Sequence, residues 1–266
     1  MRLLKIGMDA ELFLQNKDGS FETAIGKFGG TKARPKKMND MPRGFYIQED
    51  NVAAEFNIPA ASTPETFVDY TLQAVDWIAK KAQGMGYDLA FTDTAVFTEK
   101  QLDHPQAQLL GCEPDYNAWT EQVNPRPNPP ADFRTASAHI HMSWDAPREA
   151  DQFLLVRMLD LLLGVPSVLE FEPTQRRTLY GKAGACRLKR YGVEYRVLGN
   201  QWIKDAYHID WTLAAVYRAA STMEQPYYLE FLEEHDETIQ HIINTHNRPE
   251  AARLCAALNL PTYGGK

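Results

Sequence analysis

Four short stretches alternate apolar and polar residues with a period of two, and this pattern limits the fold more than any other feature. In "GMDAELFL" (7–14), Asp9 and Glu11 oppose Met8, Ala10 and Leu12. In "NVAAEFNIP" (51–59), Asn51, Glu55 and Asn57 oppose Val52, Ala54, Phe56 and Ile58. In "SAHIHMSW" (137–144), His139 and His141 oppose Ala138, Ile140 and Met142, and in "GVEYRVL" (192–198), Glu194 and Arg196 oppose Val193, Tyr195 and Val197. Residues i and i+2 of a strand lie on the same face. The pattern therefore predicts strands with one clean apolar face, as in an antiparallel sheet covered by helices on one side.

The rest of the chain supports that architecture. "DGS" (18–20) is a hairpin turn signal, and "GKFGGTKARP" (26–35) is a glycine-rich basic loop. Ser62 and Glu65 have capping-box spacing, with Pro64 in the first turn. They open an amphipathic helix whose stripe is Phe67, Thr71, Leu72, Val75, Ile78, Ala79 and Ala82. "LAFTDTAVF" (89–97) reads as one strand, residues 122–133 as a proline-rich loop, and 149–164 as an apolar helix ending at Gly164. Helices are predicted over roughly 205–223, 226–246 and 249–259. Strands and helices do not alternate strictly, which predicts α+β rather than a doubly wound fold. The expectation is one catalytic domain over 1–266, helical from about 205 onward.

The outward residues decide the chemistry. An ordinary wet sheet face alternates in the same way, but it favours Lys, Thr, Ser and Gln. Here the set is Asp9, Glu11, Glu55, His139, His141, Glu194 and Arg196. Carboxylates gathered on one surface repel unless they are spread apart, solvated or neutralised by cations. Carboxylates with one or two imidazoles suit Mg²⁺ or Mn²⁺, whereas zinc hydrolases rely more on His and Cys. Basic residues cluster at Lys32, Arg34, Lys36, Lys37 and Arg43, and again at Arg176, Arg177, Lys182, Arg187, Lys189 and Arg190. The net charge of −7 argues against broad nucleic-acid binding. Positive clusters in such a chain suit a small anion such as a nucleotide, or are simply solvated surface. No GxxxxGK[ST] is present, so a P-loop is excluded. The three cysteines are widely spaced, which fits reduced thiols in a cytoplasmic setting. No run approaches ~20 apolar residues, so no membrane span is expected.

In that order, an early acidic pair, a mid-chain "HxHxS" strand and a later "R…ExR" strand resemble the glutamine synthetase and γ-glutamylcysteine ligase superfamily. "GMDAELFL", "GGTKARP", "DNVAAEFNIPA", "GCEPDYN", "SAHIHMSW" and "YGVEYRVLGNQW" look closest to its phage-type COOH–NH2 ligases, or amidoligases. The likeness covers about residues 5–205. It implies a curved, mainly antiparallel sheet with a polar concave face, and ATP with Mg²⁺ or Mn²⁺ as cofactors. By that likeness, Asp9, Glu11, Glu55, His139 and Glu194 would hold the cations. His141, Ser143, Lys32, Arg187 and Lys182 would lie towards the nucleotide. Arg196, Arg190 and Glu55 would be catalytic, with Glu113 and Asp115 as weaker candidates to receive an amine.

The activity implied is ATP-dependent joining of a carboxylate to an amine through an acyl phosphate, giving an amide or isopeptide bond. The partners would be a carboxylate-bearing and an amine-bearing molecule. A homo-oligomer is compatible with such relatives, and the location would be cytoplasmic (the host's, if phage-encoded). Three other readings remain open at this level: a metal-dependent hydrolase using the HxH pair, a guanidino-kinase-like phosphotransferase, and a non-catalytic nucleotide-binding module. Trp119, Tyr116 and Trp144 could stack on a ligand or pack internally.

Overall fold

The computed structural model describes residues 1–108 and 115–262; Glu113 and Cys112 lie outside the described residues. Its strands are β1 (Lys5–Gln15), β2 (Phe21–Glu22), β3 (Lys36–Lys37), β4 (Tyr46–Asp50), β5 (Ala53–Asn57), β6 (Asp88–Ala90), β7 (Thr94–Val96), β8 (Tyr116–Asn117), β9 (Gln122–Val123), β10 (Phe133–Thr135), β11 (Ala138–Ser143), β12 (Ala185–Lys189) and β13 (Gly192–Tyr195). The helices are α1 (Pro64–Gly84), α2 (Glu99–Leu102), α3 (Pro105–Gln108), α4 (Glu149–Leu159), α5 (Val165–Glu170), α6 (Arg176–Leu179), α7 (Ala206–Thr222), α8 (Pro226–Thr245) and α9 (Arg248–Ala257).

The α+β expectation holds. An antiparallel sheet runs β3-β4-β5-β1-β11-β13-β12-β8-β9, with β2 and β6 paired to the far end of β1. β1 is long enough to serve both groups, and it sits at the centre with β11 on one side and β5 on the other. The alternating apolar residues go where the pattern requires. Ile6, Met8, Ala10, Leu12, Ile140, Met142 and Val193 are buried in one cluster with Phe67 and Ile78 of α1, Phe153 and Leu159 of α4, and Val216 of α7. Each such apolar side chain contributes about 1.5–3 kcal/mol on burial, so the helices hold the sheet by this face. The opposite face is left for the polar set.

Several local expectations are corrected. Helix α1 is capped by Thr63, whose hydroxyl accepts from the Thr66 N–H, rather than by Ser62. Its buried stripe is Phe67, Thr71, Ala74, Ile78 and Ala82, whereas Leu72, Val75 and Ala79, each one residue on, are half-buried at its edge. Residues 89–97 do not make one strand: β6 joins β1, whereas β7 pairs with β10 in a separate two-stranded ladder. Asn51 is not part of β5 but occupies the β4–β5 turn at φ +55°, a left-handed conformation that Asn tolerates. The apolar helix does not stop at Gly164. After α4 it widens into a π-turn over Asp160–Gly164 and continues as α5. The span Glu149–Glu170 has a mean hydropathy of 1.6 and is long and apolar enough to cross a membrane. Its most apolar stretch is 83% buried within the protein, so it serves as a core helix.

Candidate active site

Register brings the polar residues together. Across β1 and β11, Asp9 faces His139; across β1 and β5, Glu11 faces Glu55 and Asp9 faces Asn57. Across β11 and β13, His141 faces Glu194, which in turn faces Arg187 of β12. Five neighbouring strands therefore present one continuous polar surface, and the separations in sequence disappear in the ladder.

That surface contains two groups able to hold a cation. Asp9, His141 and Glu194 offer ligand atoms all within 4.8 Å of one another, and so do Glu11, Asp50 and Glu55. Asp50 was missed in the sequence. It closes β4 two residues after Gln48, which faces Glu55, so the same alternation could have found it. The two groups are linked by a chain of hydrogen bonds. His139 Nδ1 lies 2.9 Å from Asp9 Oδ1 and its Nε2 2.7 Å from the Ser137 hydroxyl, which donates to Glu11 at 3.1 Å. The Ser137 backbone N–H donates to the Glu11 carboxylate (2.8 Å). His139, expected as a cation ligand, thus has both ring nitrogens engaged, while His141 belongs to the cation-competent group. His141 Nε2 lies 3.3 Å from Asp9, and its Nδ1 meets the Tyr191 hydroxyl at 2.7 Å.

The electrostatics differ sharply between the groups. Burial and the nearby charges of Asp50 and Asp9 raise the Glu11 carboxyl to about 7. Burial, then Glu11, Asp9 and Asp50, raise Glu55 to about 9 despite the Gln48 amide donating to it at 2.6 Å. Like charges crowded out of water behave this way. Glu194 is the opposite case. It is fully buried, yet its carboxyl is held far below the usual range because His139 and Arg196 outweigh that burial. Arg196 Nη1 donates directly to it, Lys189 Nζ lies at 2.8 Å and Arg187 Nη1 at 3.2 Å. Burial also raises Asp9, but His139 and His141 overcome this and hold it well below its ordinary value. Burial and Arg196 depress the His139 imidazole to about 4, so it is neutral at pH 7.

Hard oxygen donors with one imidazole between them suit Mg²⁺ or Mn²⁺. The crowding that raises Glu11 and Glu55, with Asp50 beside them, is what a cation would relieve, so these residues fit one. The hydrolase reading needs more imidazoles than the two groups contain; His208, for instance, is held by Asp205 (2.8 Å) and Glu170 (3.0 Å) at the start of α7.

Other expected residues lie elsewhere. Arg190 is exposed at the tip of the β12–β13 hairpin, and the contact with Glu194 is made by Lys189 instead. Lys182 is exposed in the loop before β12. The Ser143 hydroxyl donates to the Lys5 carbonyl (3.2 Å). Three amides of the glycine-rich loop are taken up by one carboxylate. The N–H groups of Gly26, Phe28 and Gly29 donate to the Glu49 carboxylate at 2.9, 2.9 and 2.6 Å. Lys32, within that loop, reaches within 3.5 Å of Asp50, at the edge of the acidic group. Arg176 and Arg177 are buried rather than surface cations; Arg176 donates to the Val197 and Arg196 carbonyls. Of the aromatic candidates, Trp144 is buried, Tyr116 packs its ring on Phe153, and Trp119 donates to Asp160.

A cavity of about 270 Å³ opens beside this surface. Glu11, Asp50, His139 and Arg196 form its floor, Asp115 stands at one side, and Pro125, Pro127 and Pro129 form its roof. Asp115 Oδ2 is 3.8 Å from Arg196 Nε, and burial raises its carboxyl. The proline-rich segment, silent as sequence, is thus the cover of the polar face.

Residues 128–240 match the family described as phage phiEco32-like COOH.NH2 ligase-type 2. No curated protein matches the chain. Among solved structures, similarity extends to a GmaS–ADP complex, with a TM-score of 0.47 at 13% identity over 95% of this chain and 63% of that one. It extends also to GmaS without ligand, at 0.44 and 14% over 96% and 68%, and to glutamine synthetase from Plasmodium falciparum, at 0.40 and 10% over 84% and 52%. The chain spans 63% of the length of that first structure.

Proposed function

We propose that this protein joins a carboxylate to an amine at the expense of ATP, through an acyl-phosphate intermediate. The observation that carries the reading is the pairing, on one sheet face, of two carboxylate groups fit for divalent cations with a wall of Arg187, Lys189 and Arg196 around Glu194. The partial match to a COOH–NH2 ligase family supports the same reaction class.

A carboxylate resists attack by an amine at neutral pH because its leaving group would be oxide. Phosphorylation replaces that leaving group with phosphate. Bound ATP supplies the phosphoryl group, and divalent cations supply charge neutralisation during its transfer. Asp9, His141 and Glu194 would hold one cation, and Glu11, Asp50 and Glu55 a second. Arg196 is placed to stabilise developing phosphoryl charge, and Arg187 and Lys189 to meet phosphate oxygens that compete with Glu194 for them. Asp115, in the cavity wall and with its carboxyl raised, is the group we assign to take the amine's proton. The proline roof limits access of water to the activated carboxyl.

The test is a screen of amines and carboxylates with ATP and Mg²⁺, read by mass spectrometry for loss of water between a pair. With the active pair found, ¹⁸O in the carboxylate should appear in the released phosphate. Amide formation with no ¹⁸O in phosphate would remove the acyl-phosphate step. ADP formation with a stable phosphorylated amine, and no amide, would instead identify a phosphotransferase.

A further inference from the structure

Asp160 is a charged residue in the middle of the apolar stretch "LLVRMLDLLLG", and it is fully buried. The α4 helix widens into its π-turn at this residue, a distortion often kept for a purpose. Its carboxylate receives three hydrogen bonds from three separate segments. Trp119 Nε1 donates to Oδ2 at 2.7 Å, the Gly184 N–H donates to the same oxygen at 2.6 Å, and the Tyr195 hydroxyl donates to Oδ1 at 2.8 Å.

Two of those segments carry the cationic wall on the far side of the sheet, and the third carries Asp115, which faces Arg196. Tyr195 lies between Glu194 and Arg196, with its side chain on the opposite face. Gly184 precedes β12, which supplies Arg187 and Lys189. Trp119 ends the short segment that begins with Asp115. The surroundings are shaped for these contacts. A Cβ on Gly164, at the end of the π-turn, would stand 2.9 Å from the Tyr195 hydroxyl and 2.7 Å from Ile243. Gly184 adopts φ +77°, and a Cβ there would meet Asn117 Oδ1 at 2.4 Å.

We infer that Asp160 is a positioning residue: from behind the sheet it ties β13, the approach to β12 and the Asp115–Trp119 segment into one unit. It thereby fixes where Glu194, Arg196 and Asp115 stand. The inference rests on the site assignment above. It touches neither ligand nor cation; its arm to Tyr195 anchors the strand whose other face holds Glu194.

The test uses Mn²⁺ as the probe, titrated by electron paramagnetic resonance, with thermal melts and circular dichroism on the same samples. Tyr195→Phe removes only the β13 arm, and is expected to weaken Mn²⁺ binding about 10-fold while the fold is kept. Asp160→Leu should weaken it at least as much, and adding Tyr195→Phe to that variant should change nothing more. Asp160→Asn is the rescue: its amide oxygen can still accept from Trp119 and Gly184 while its NH₂ donates to the Tyr195 oxygen. Affinity within about threefold of wild type is expected there. Folded Tyr195→Phe and Asp160→Leu variants that bind Mn²⁺ within twofold of wild type, whatever their melting temperatures, would overturn the inference. So would an unrescued Asp160→Asn. Should wild type bind Mn²⁺ but never form an amide, the ligase reading falls and this inference is still decided by the variants. A wild type without Mn²⁺ affinity removes both.

Discussion

Glu11 and Glu55 stand directly opposite each other in the β1–β5 register, the first half-buried and the second buried, with Asp50 beside them. Few arrangements in a sheet cost more electrostatically, because like charges directly opposed across strands destabilise the pair. Burial and the neighbouring acids push both carboxyls upward.

The first prediction follows from the sign of those shifts. Both carboxyls are raised from the ordinary 4.5, to about 7 and about 9, so the folded state binds more protons than the unfolded chain. Their contribution to stability is greatest below pH 4.5 and is lost as pH rises through 7 towards 9. Added Mn²⁺ should offset that loss, so the rise in melting temperature on adding it should be larger at pH 8.5 than at pH 6. Glu55→Gln should make the cation-free protein more stable at pH 8.5 and shrink the Mn²⁺ effect. Melts with a pH-independent Mn²⁺ effect would contradict this.

Glu194 makes a second test. It is the anion shared by Arg187, Lys189 and Arg196. Glu194→Gln removes the nearest counter-charge of Arg196, which is 6% exposed and keeps Asp115 only at 3.8 Å, and should destabilise the fold by about 3 kcal/mol in urea titrations. Arg187 and Lys189 are less buried and can relax towards water, so Lys189→Met should cost much less.

A third contrast separates two arginines that look equivalent in the sequence. Arg196 lies in the cavity floor, whereas Arg190 is exposed at a hairpin tip. Arg196→Gln should lower ATP-dependent turnover by about 100-fold or more. Arg190→Ala should leave it within about twofold, measured as ADP release under the same conditions. Equal losses would mean that the hairpin tip closes onto the nucleotide.

A fourth concerns the glycine-rich loop. Glu49 gathers the amides of Gly26, Phe28 and Gly29, so Glu49→Ala should release the loop, cost about 1–3 kcal/mol and speed proteolysis near residues 26–34. Lys32→Ala, at a side chain 65% exposed, should change stability by less than about 0.5 kcal/mol. If Lys32 closes over phosphates, its loss will appear as ATP hydrolysed without amide formed. Unchanged hydrolysis and amide yield would count against that role.

Much of this site was legible because strand alternation is a rigid rule. It placed Asp9, Glu11, Glu55, His141 and Glu194 on one face before any ladder was known. It could not tell which strands are neighbours, so it could not separate two cation groups or bring in Asp50. It also mistook polarity for exposure: Glu194 and Arg196 are on the polar face yet buried, with His139, Arg187 and Lys189 packed about Glu194. Basic residues were read by density along the chain, and there Lys189 and Arg190 are indistinguishable. Only the hairpin turn decides that the former points back to Glu194. Gly164 was read as a helix end because glycine often is one, and the true reason for it, room for the Tyr195 hydroxyl, is tertiary. Asp160 gave a faint signal as an acid inside the run Leu154–Gly164, but nothing local names its three donors.

The proline roof has one further consequence. Pro125, Pro127 and Pro129 offer no backbone N–H, so this stretch contributes little to the ladder beneath it. In the proposed reaction, the acidic strands would hold the cations and the roof would meet the partners, so a change of partner would call for rewriting roof positions alone.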